Sequence, residues 1–99
     1  MKPPAACTTL QEIRAEIDRI DRDVIAAFGQ RFAYVKAATK FKTSQAGVKA
    51  SDRFAAMLQQ RREWAAAEGL NPEVIEKLYR DLVTHFIEEE LKQWHQEKD

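Results

Sequence analysis

An all-α chain of three helices, the first of them long, intertwined with a second copy as a homodimer, is the fold class this sequence predicts. Three observations predict it. Apolar residues recur at alternating spacings of three and four, the period of a helix face rather than of a strand. Glycine stands only at 29, 47 and 69 and proline only at 3, 4 and 72, so strong breakers cut the 99 residues into three stretches. The first stretch is also longer than a compact chain of this size is wide, and that excess calls for a partner.

The first helix opens at Thr9, where Thr9-x-x-Glu12 reads as a capping box. Its apolar seam runs Leu10, Ile13, Ile17, Ile20, Val24, Ala27, Phe28, Val35 and Ala38. No strong breaker interrupts it before Thr43-Ser44-Gln45-Ala46-Gly47, so the pattern predicts one helix over residues 9–42, with Gly29 tolerated inside it. A second helix, 52–68, is capped by Ser51 or Asp52, carries Phe54, Met57, Leu58, Arg61 and Trp64, and stops at Gly69. Asn71 as cap and Pro72 at the first helical position start the third, 72–97. Its apolar face comprises Ile75, Leu78, Tyr79, Leu82, Val83, Phe86, Ile87, Leu91 and Trp94. The three make one domain, 1–99.

A helix over 9–42 is about 50 Å long at 1.5 Å per residue, against a radius of gyration of roughly 13 Å for a compact chain of this length. Its overhang would expose Ile13, Ile17 and Ile20 unless a second copy covers them, each long helix completing the other subunit's core. A coiled-coil tether without a ligand site is the plainer version of the same picture.

Composition narrows the function. Sixteen Lys and Arg balance sixteen Asp and Glu, which argues against a domain built for nucleic acid or an anionic membrane. Lys36, Lys40, Lys42 and Lys49 lack both helix-turn-helix spacing and interleaved aromatics beyond Phe41. No apolar run approaches the roughly 18 residues of a spanning helix, and the N-terminal residues lack the apolar core of a secretory signal, so the chain reads as cytoplasmic. Cys7 is alone, which excludes an internal disulfide. His85 and His95 lack the spacing of a metal site, and neither a phosphate loop nor a nucleophile elbow is present, so neither metal nor cofactor is expected.

Charges at apolar positions are the candidate chemistry. Beyond Phe28 the first seam continues through Arg31, Val35, Ala38 and Lys42, and no acidic residue lies three or four positions from either cation on this helix. An anionic ligand would resolve that placement; snorkelling to solvent is the competing reading. Glu90 follows Phe86 by four and Ile87 by three and precedes Trp94 by four, so it falls on the apolar side of the third helix, where desolvation raises a carboxyl pKa. Arg14 is explained without a ligand by an i,i+4 pair with Asp18.

These residues lie within a wider likeness. The run Leu10 to Lys42, with Ile17-Asp18-Arg19-Ile20-Asp21, Arg31, Tyr34-Val35-Lys36-Ala37-Ala38 and Phe41-Lys42, resembles the isochorismate pyruvate lyases of bacterial salicylate biosynthesis. Those lyases belong to the all-helical chorismate mutase family. The likeness continues through Arg53, Ala55-Ala56-Met57-Leu58, Trp64, Glu68-Gly69-Leu70 and Lys92, covering nearly the whole chain. It implies an intertwined three-helix homodimer with two shared active sites. It also implies cleavage of isochorismate to salicylate and pyruvate without metal or organic cofactor, feeding siderophore assembly, with weak chorismate mutase activity beside it.

Carried over residue by residue, the resemblance implies that Arg31 holds one substrate carboxylate and Arg14 of the partner subunit the other. Lys42 approaches the ether oxygen, Glu90 stands at the position of its hydrogen-bond donor, and Val35, Ala38, Met57 and Ile87 wall the site, with Arg53 a further participant. Spacing agrees with the exchange between chains: Arg14 and Arg31 are 17 positions apart, about 26 Å along one helix, too far to grip one small dicarboxylate.

The chain departs from that family pattern at two positions, with Glu90 where the lyases carry Gln and Phe86 where they carry Tyr. Some chorismate mutases have Glu at the first position and use it protonated. Helical mutases place an Arg-Glu pair near residues 54 and 55, where this chain has Phe54 and Ala55. The lyase is therefore the expectation, ahead of a dedicated chorismate mutase and of a non-catalytic helical dimer acting as regulator or scaffold. The loop Thr43 to Ala50 has the composition of a lid that carries Lys42 inward.

Overall fold

The computed structural model describes residues 1–43, 47 and 51–98. Their regular elements are all helical: a 3-10 turn at Pro4–Ala6, then α1 (Leu10–Thr39), α2 (Ser51–Ala67) and α3 (Pro72–Lys98). The expected lid, with Lys49 inside it, lies outside the described residues except for Thr43 and Gly47. The chain divides into two compact units, Met1–Tyr34 and Val35–Asp99.

In the first unit the start of α1 is fastened by side chains. Thr9 Oγ1 accepts the Glu12 N–H at 3.1 Å, and the Glu12 carboxylate turns back to accept the Thr8 N–H at 2.8 Å. This is the expected capping box with its return bond moved one residue upstream. Lys2 adds two further ties, its ammonium to Glu12 at 3.1 Å and its backbone N–H to Glu16 at 3.3 Å. The N-terminal residues thus form a strap along the helix face of Glu12 and Glu16, a face that Arg19 extends by pairing with Glu16 at 2.9 Å and Asp23 at 3.4 Å. These donors hold both carboxyls below their usual range, Glu12 chiefly through the Thr8 N–H and then Lys2, Glu16 chiefly through Arg19 and then the Lys2 N–H. The apolar seam is a different matter: Leu10, Ile13, Ile17, Ile20 and Val24 are 41–59% exposed.

In the second unit α1 ends at Thr39, three residues short of the expected 42. The Phe41 N–H donates to the Ala38 carbonyl and the Lys42 N–H to the Thr39 carbonyl, both at 3.0 Å, so the ladder tightens to i→i−3 bonds and stops. Helix α2 begins at Ser51, which puts Asp52 inside its first turn, where a carboxylate complements the positive end of the helix. It closes in a Schellman motif around Gly69: φ is +76°, the Leu70 N–H reaches the Ala65 carbonyl at 2.8 Å and the Gly69 N–H the Ala66 carbonyl at 3.1 Å. Asn71 Oδ1 then accepts the N–H groups of Glu73 and Val74 at 2.8 and 3.3 Å, with Pro72 in the first helical position, as the sequence predicts.

Because Gly69 reverses the chain within a few residues, α2 and α3 form an antiparallel hairpin. Arg62 pairs with Glu76 at 3.3 Å, Glu76 also takes Arg80 at 3.2 Å, and Arg80 lies over the Phe54 ring at 6.0 Å. Arg61 covers the rings of Trp64 at 4.6 Å and Tyr79 at 5.6 Å. Met57, Leu58 and Val83 form the buried centre, with Phe54, Tyr79 and Ile87 packed against it. At about 1.5–3 kcal/mol for each fully buried large apolar side chain, Met57, Leu58 and Val83 contribute several kcal/mol to the hairpin.

Candidate functional site

Within the second unit, two side chains one turn apart on α3 reach the end of α1. Glu90, 6% exposed, lies 3.3 Å from the hydroxyl of Thr39, itself 1% exposed. Trp94 Nε1 donates to the Lys42 carbonyl at 3.4 Å. Thr39 and Lys42 are joined by the last turn of the tightened ladder, so α3 holds that turn at both ends.

The chemistry of this cluster follows from its donors. Thr39 Oγ1 is 3.3 Å from both Glu90 Oε2 and the Val35 carbonyl, yet a hydroxyl has one hydrogen. When Glu90 is ionised that hydrogen goes to the carboxylate. When Glu90 is protonated, either its O–H donates to Thr39 while Thr39 donates to Val35, or Thr39 keeps donating to Oε2 and the other carboxyl oxygen carries a hydrogen that is free for another acceptor. The arrangement accommodates either state of a buried acid. Lys42 follows Thr39 by three residues, its ammonium resting on the Gly47 carbonyl at 3.1 Å, which takes one of three available hydrogens.

The remaining expected residues fall as follows. Val35 and Ala38 are half-buried on α1, Met57 is in the hairpin core and Ile87 packs against it. Arg53 is exposed near the start of α2. Arg31 and Arg14 belong to the first unit, Arg31 half-buried and Arg14 exposed. The i,i+4 pair of Arg14 with Asp18 is not formed: among the described residues Arg14 has no ion pair or hydrogen bond, while the neighbouring acids Glu12 and Glu16 are engaged by the strap and Arg19. The sequence pattern singles out neither Thr39 nor Trp94 as a candidate site residue. Thr39 lies on the same seam, four after Val35 and three before Lys42, and a hydroxyl at such a position was the available signal. The spacing of Trp94 marks it only as apolar surface and does not identify an acceptor for its N–H.

Among the described residues no helix is long and apolar enough to cross a membrane, and no three His, Cys, Asp or Glu side chains gather as metal ligands would.

The profile of the family described as Chorismate mutase type II matches residues 13–91. An isochorismate pyruvate lyase of Pseudomonas aeruginosa is 46% identical over 96 residues, covering 97% of this chain and 95% of that protein. The T-protein of Haemophilus influenzae is 36% identical over 72 residues, which are 72% of this chain but 19% of that much longer protein.

Proposed function

The chain belongs to the chorismate mutase type II family, and from that premise we propose that it is an isochorismate pyruvate lyase, cleaving isochorismate to salicylate and pyruvate. The observation that carries this is the 46% identity to the Pseudomonas lyase over nearly the whole length of both proteins. The reaction is a pericyclic one: a ring hydrogen passes to the enolpyruvyl methylene as the ether C–O bond breaks, which makes the ring aromatic and the side chain pyruvate. No atom is left over, so neither nucleophile nor external base is required.

What the protein must supply is a folded substrate conformation and compensation for the electron density gained by the ether oxygen. Arg31 and Arg14 of the partner subunit grip the two carboxylates. Lys42 and protonated Glu90 serve the ether oxygen, between walls formed by Val35, Ala38, Met57 and Ile87, with Arg53 nearby. The burial of Glu90 and its bond to the Thr39 hydroxyl, which can accommodate a protonated acid, support this role. The open hydrogen-bonding capacity of Arg14 supports its role toward another copy.

The assembly is a homodimer. Leu10, Ile13, Ile17, Ile20 and Val24 form too continuous an exposed stripe for a chain that works alone, and a second long helix is the surface that fits it. Sedimentation of the pure protein at micromolar concentration gives a dimer on this reading, and a stable folded monomer overturns it. The expected setting is the cytoplasm, where salicylate enters siderophore assembly.

The family name favours one second reading, a dedicated chorismate mutase converting chorismate to prephenate. Incubation with isochorismate and, separately, chorismate decides between them. Salicylate formed much faster than prephenate supports the lyase with weak mutase activity, the reverse supports the mutase, and neither product leaves a non-catalytic helical dimer.

A further inference from the structure

We infer that Trp94 is the positioning residue of Lys42: its indole N–H fixes the lysine's backbone so that the ammonium can exchange acceptors without losing its place. The inference rests on the lyase reading for what Lys42 does, and on the contact itself for how Trp94 acts. Lysine is a poor instrument of precise placement, since its charge rides on a flexible stem with large rotamer freedom. The less its own backbone moves, the smaller the volume its ammonium must search.

Lys42 stands where that support is hardest to obtain. It lies beyond Thr39, the last residue of α1, so its carbonyl has no place in the helix ladder. Its N–H is taken by the Thr39 carbonyl at 3.0 Å, and its own carbonyl accepts Trp94 Nε1 at 3.4 Å, from the next helix but one. Both backbone polar groups of Lys42 are therefore held, one by its own turn and the other by α3. The indole can only donate, so this carbonyl is a directional tie and not a chance contact of an apolar ring. The ammonium meanwhile rests on the Gly47 carbonyl, a neutral acceptor that it can give up for an oxygen gaining negative charge, where a charge-assisted bond is stronger. Trp94 keeps the root of the side chain fixed during that exchange.

The test separates positioning from packing. Trp94→Phe keeps an aromatic ring and removes the donor; kcat/KM for isochorismate should fall about three- to tenfold, the worth of one hydrogen bond. In a Lys42→Ala background the same change should alter kcat/KM less than about twofold, because a residue acting through Lys42 has nothing left to position. An equal loss in both backgrounds means that Trp94 only packs, and overturns the inference. Should Trp94→Phe fail to fold, site-specific replacement of Trp94 by 3-benzothienylalanine, which exchanges the N–H for sulfur, makes the same comparison. Backbone ¹⁵N relaxation decides independently of turnover: the Lys42 amide should have an order parameter near 0.85, dropping toward about 0.6 once the donor is gone. If wild-type protein forms no salicylate, the lyase reading fails while that measurement still tells whether Trp94 restrains Lys42; an unchanged order parameter overturns the restraint.

Discussion

Thr39 and Glu90, 51 positions apart in sequence, meet through a buried hydroxyl–carboxyl hydrogen bond of 3.3 Å that joins the end of α1 to α3. Thr39→Val keeps the shape and removes the hydroxyl, so a buried carboxyl loses one partner. The expected loss is about 1–3 kcal/mol, the cost of leaving a buried polar group less satisfied, read from the midpoint of urea unfolding. Glu90→Gln should cost less, because an amide can still both accept from and donate to Thr39.

Glu90 should make the lyase reaction sensitive to pH. Ionised, it cannot donate to the ether oxygen, and its charge opposes the density developing there, so the protonated acid is the productive form. Activity should therefore decline as pH rises through the range in which Glu90 ionises. Glu90→Gln, with a donor at every pH, should give a flatter profile of kcat/KM for isochorismate. Identical alkaline limbs in the two proteins would remove Glu90 from the site.

Arg14 and Arg31 should serve one site from opposite chains. Arg14→Ala and Arg31→Ala homodimers are each expected to be inactive. Refolded together, they form heterodimers in which one site has lost both arginines and the other has kept both. Partial recovery of salicylate formation is the expected result. Verified heterodimers that remain inactive rule out the exchange.

The strap should weaken in acid. Folding holds the Glu12 and Glu16 carboxyls below their usual value of 4.5, so it favours their ionised forms. That contribution is complete above the usual value and is lost as pH falls through the lower folded values. Carbon-13 shifts of the Cα atoms of residues 10–16 should move toward coil values as pH falls below 4.5. In a Glu12→Gln, Glu16→Gln double variant that pH dependence should vanish.

Where the sequence was legible, the reason is local. Thr9, Asn71, Pro72 and Gly69 act on backbone groups within a few residues, so their pattern alone located a helix start, a second start and a chain reversal. Glu90 could be singled out because periodicity reports burial. The end of α1 could not be located, since residues 40–42 contain no breaker and the ladder tightens through backbone bonds that any side chain permits. The partners of Thr39 and Trp94 were equally invisible: each lies more than fifty positions away, and spacing along one helix says nothing about which residue of another it meets.

The two tryptophans also give the protein a pair of optical gauges. Trp64, 53% exposed, lies beneath the Arg61 guanidinium on the α2–α3 hairpin, while the half-buried indole of Trp94 is fastened to the turn that carries Lys42. Their fluorescence answers to different surroundings. In a Trp64→Phe background the remaining emission comes from Trp94 alone, and its wavelength follows the polarity at the root of the lysine. Binding at the proposed site should then be visible in real time without attaching any dye.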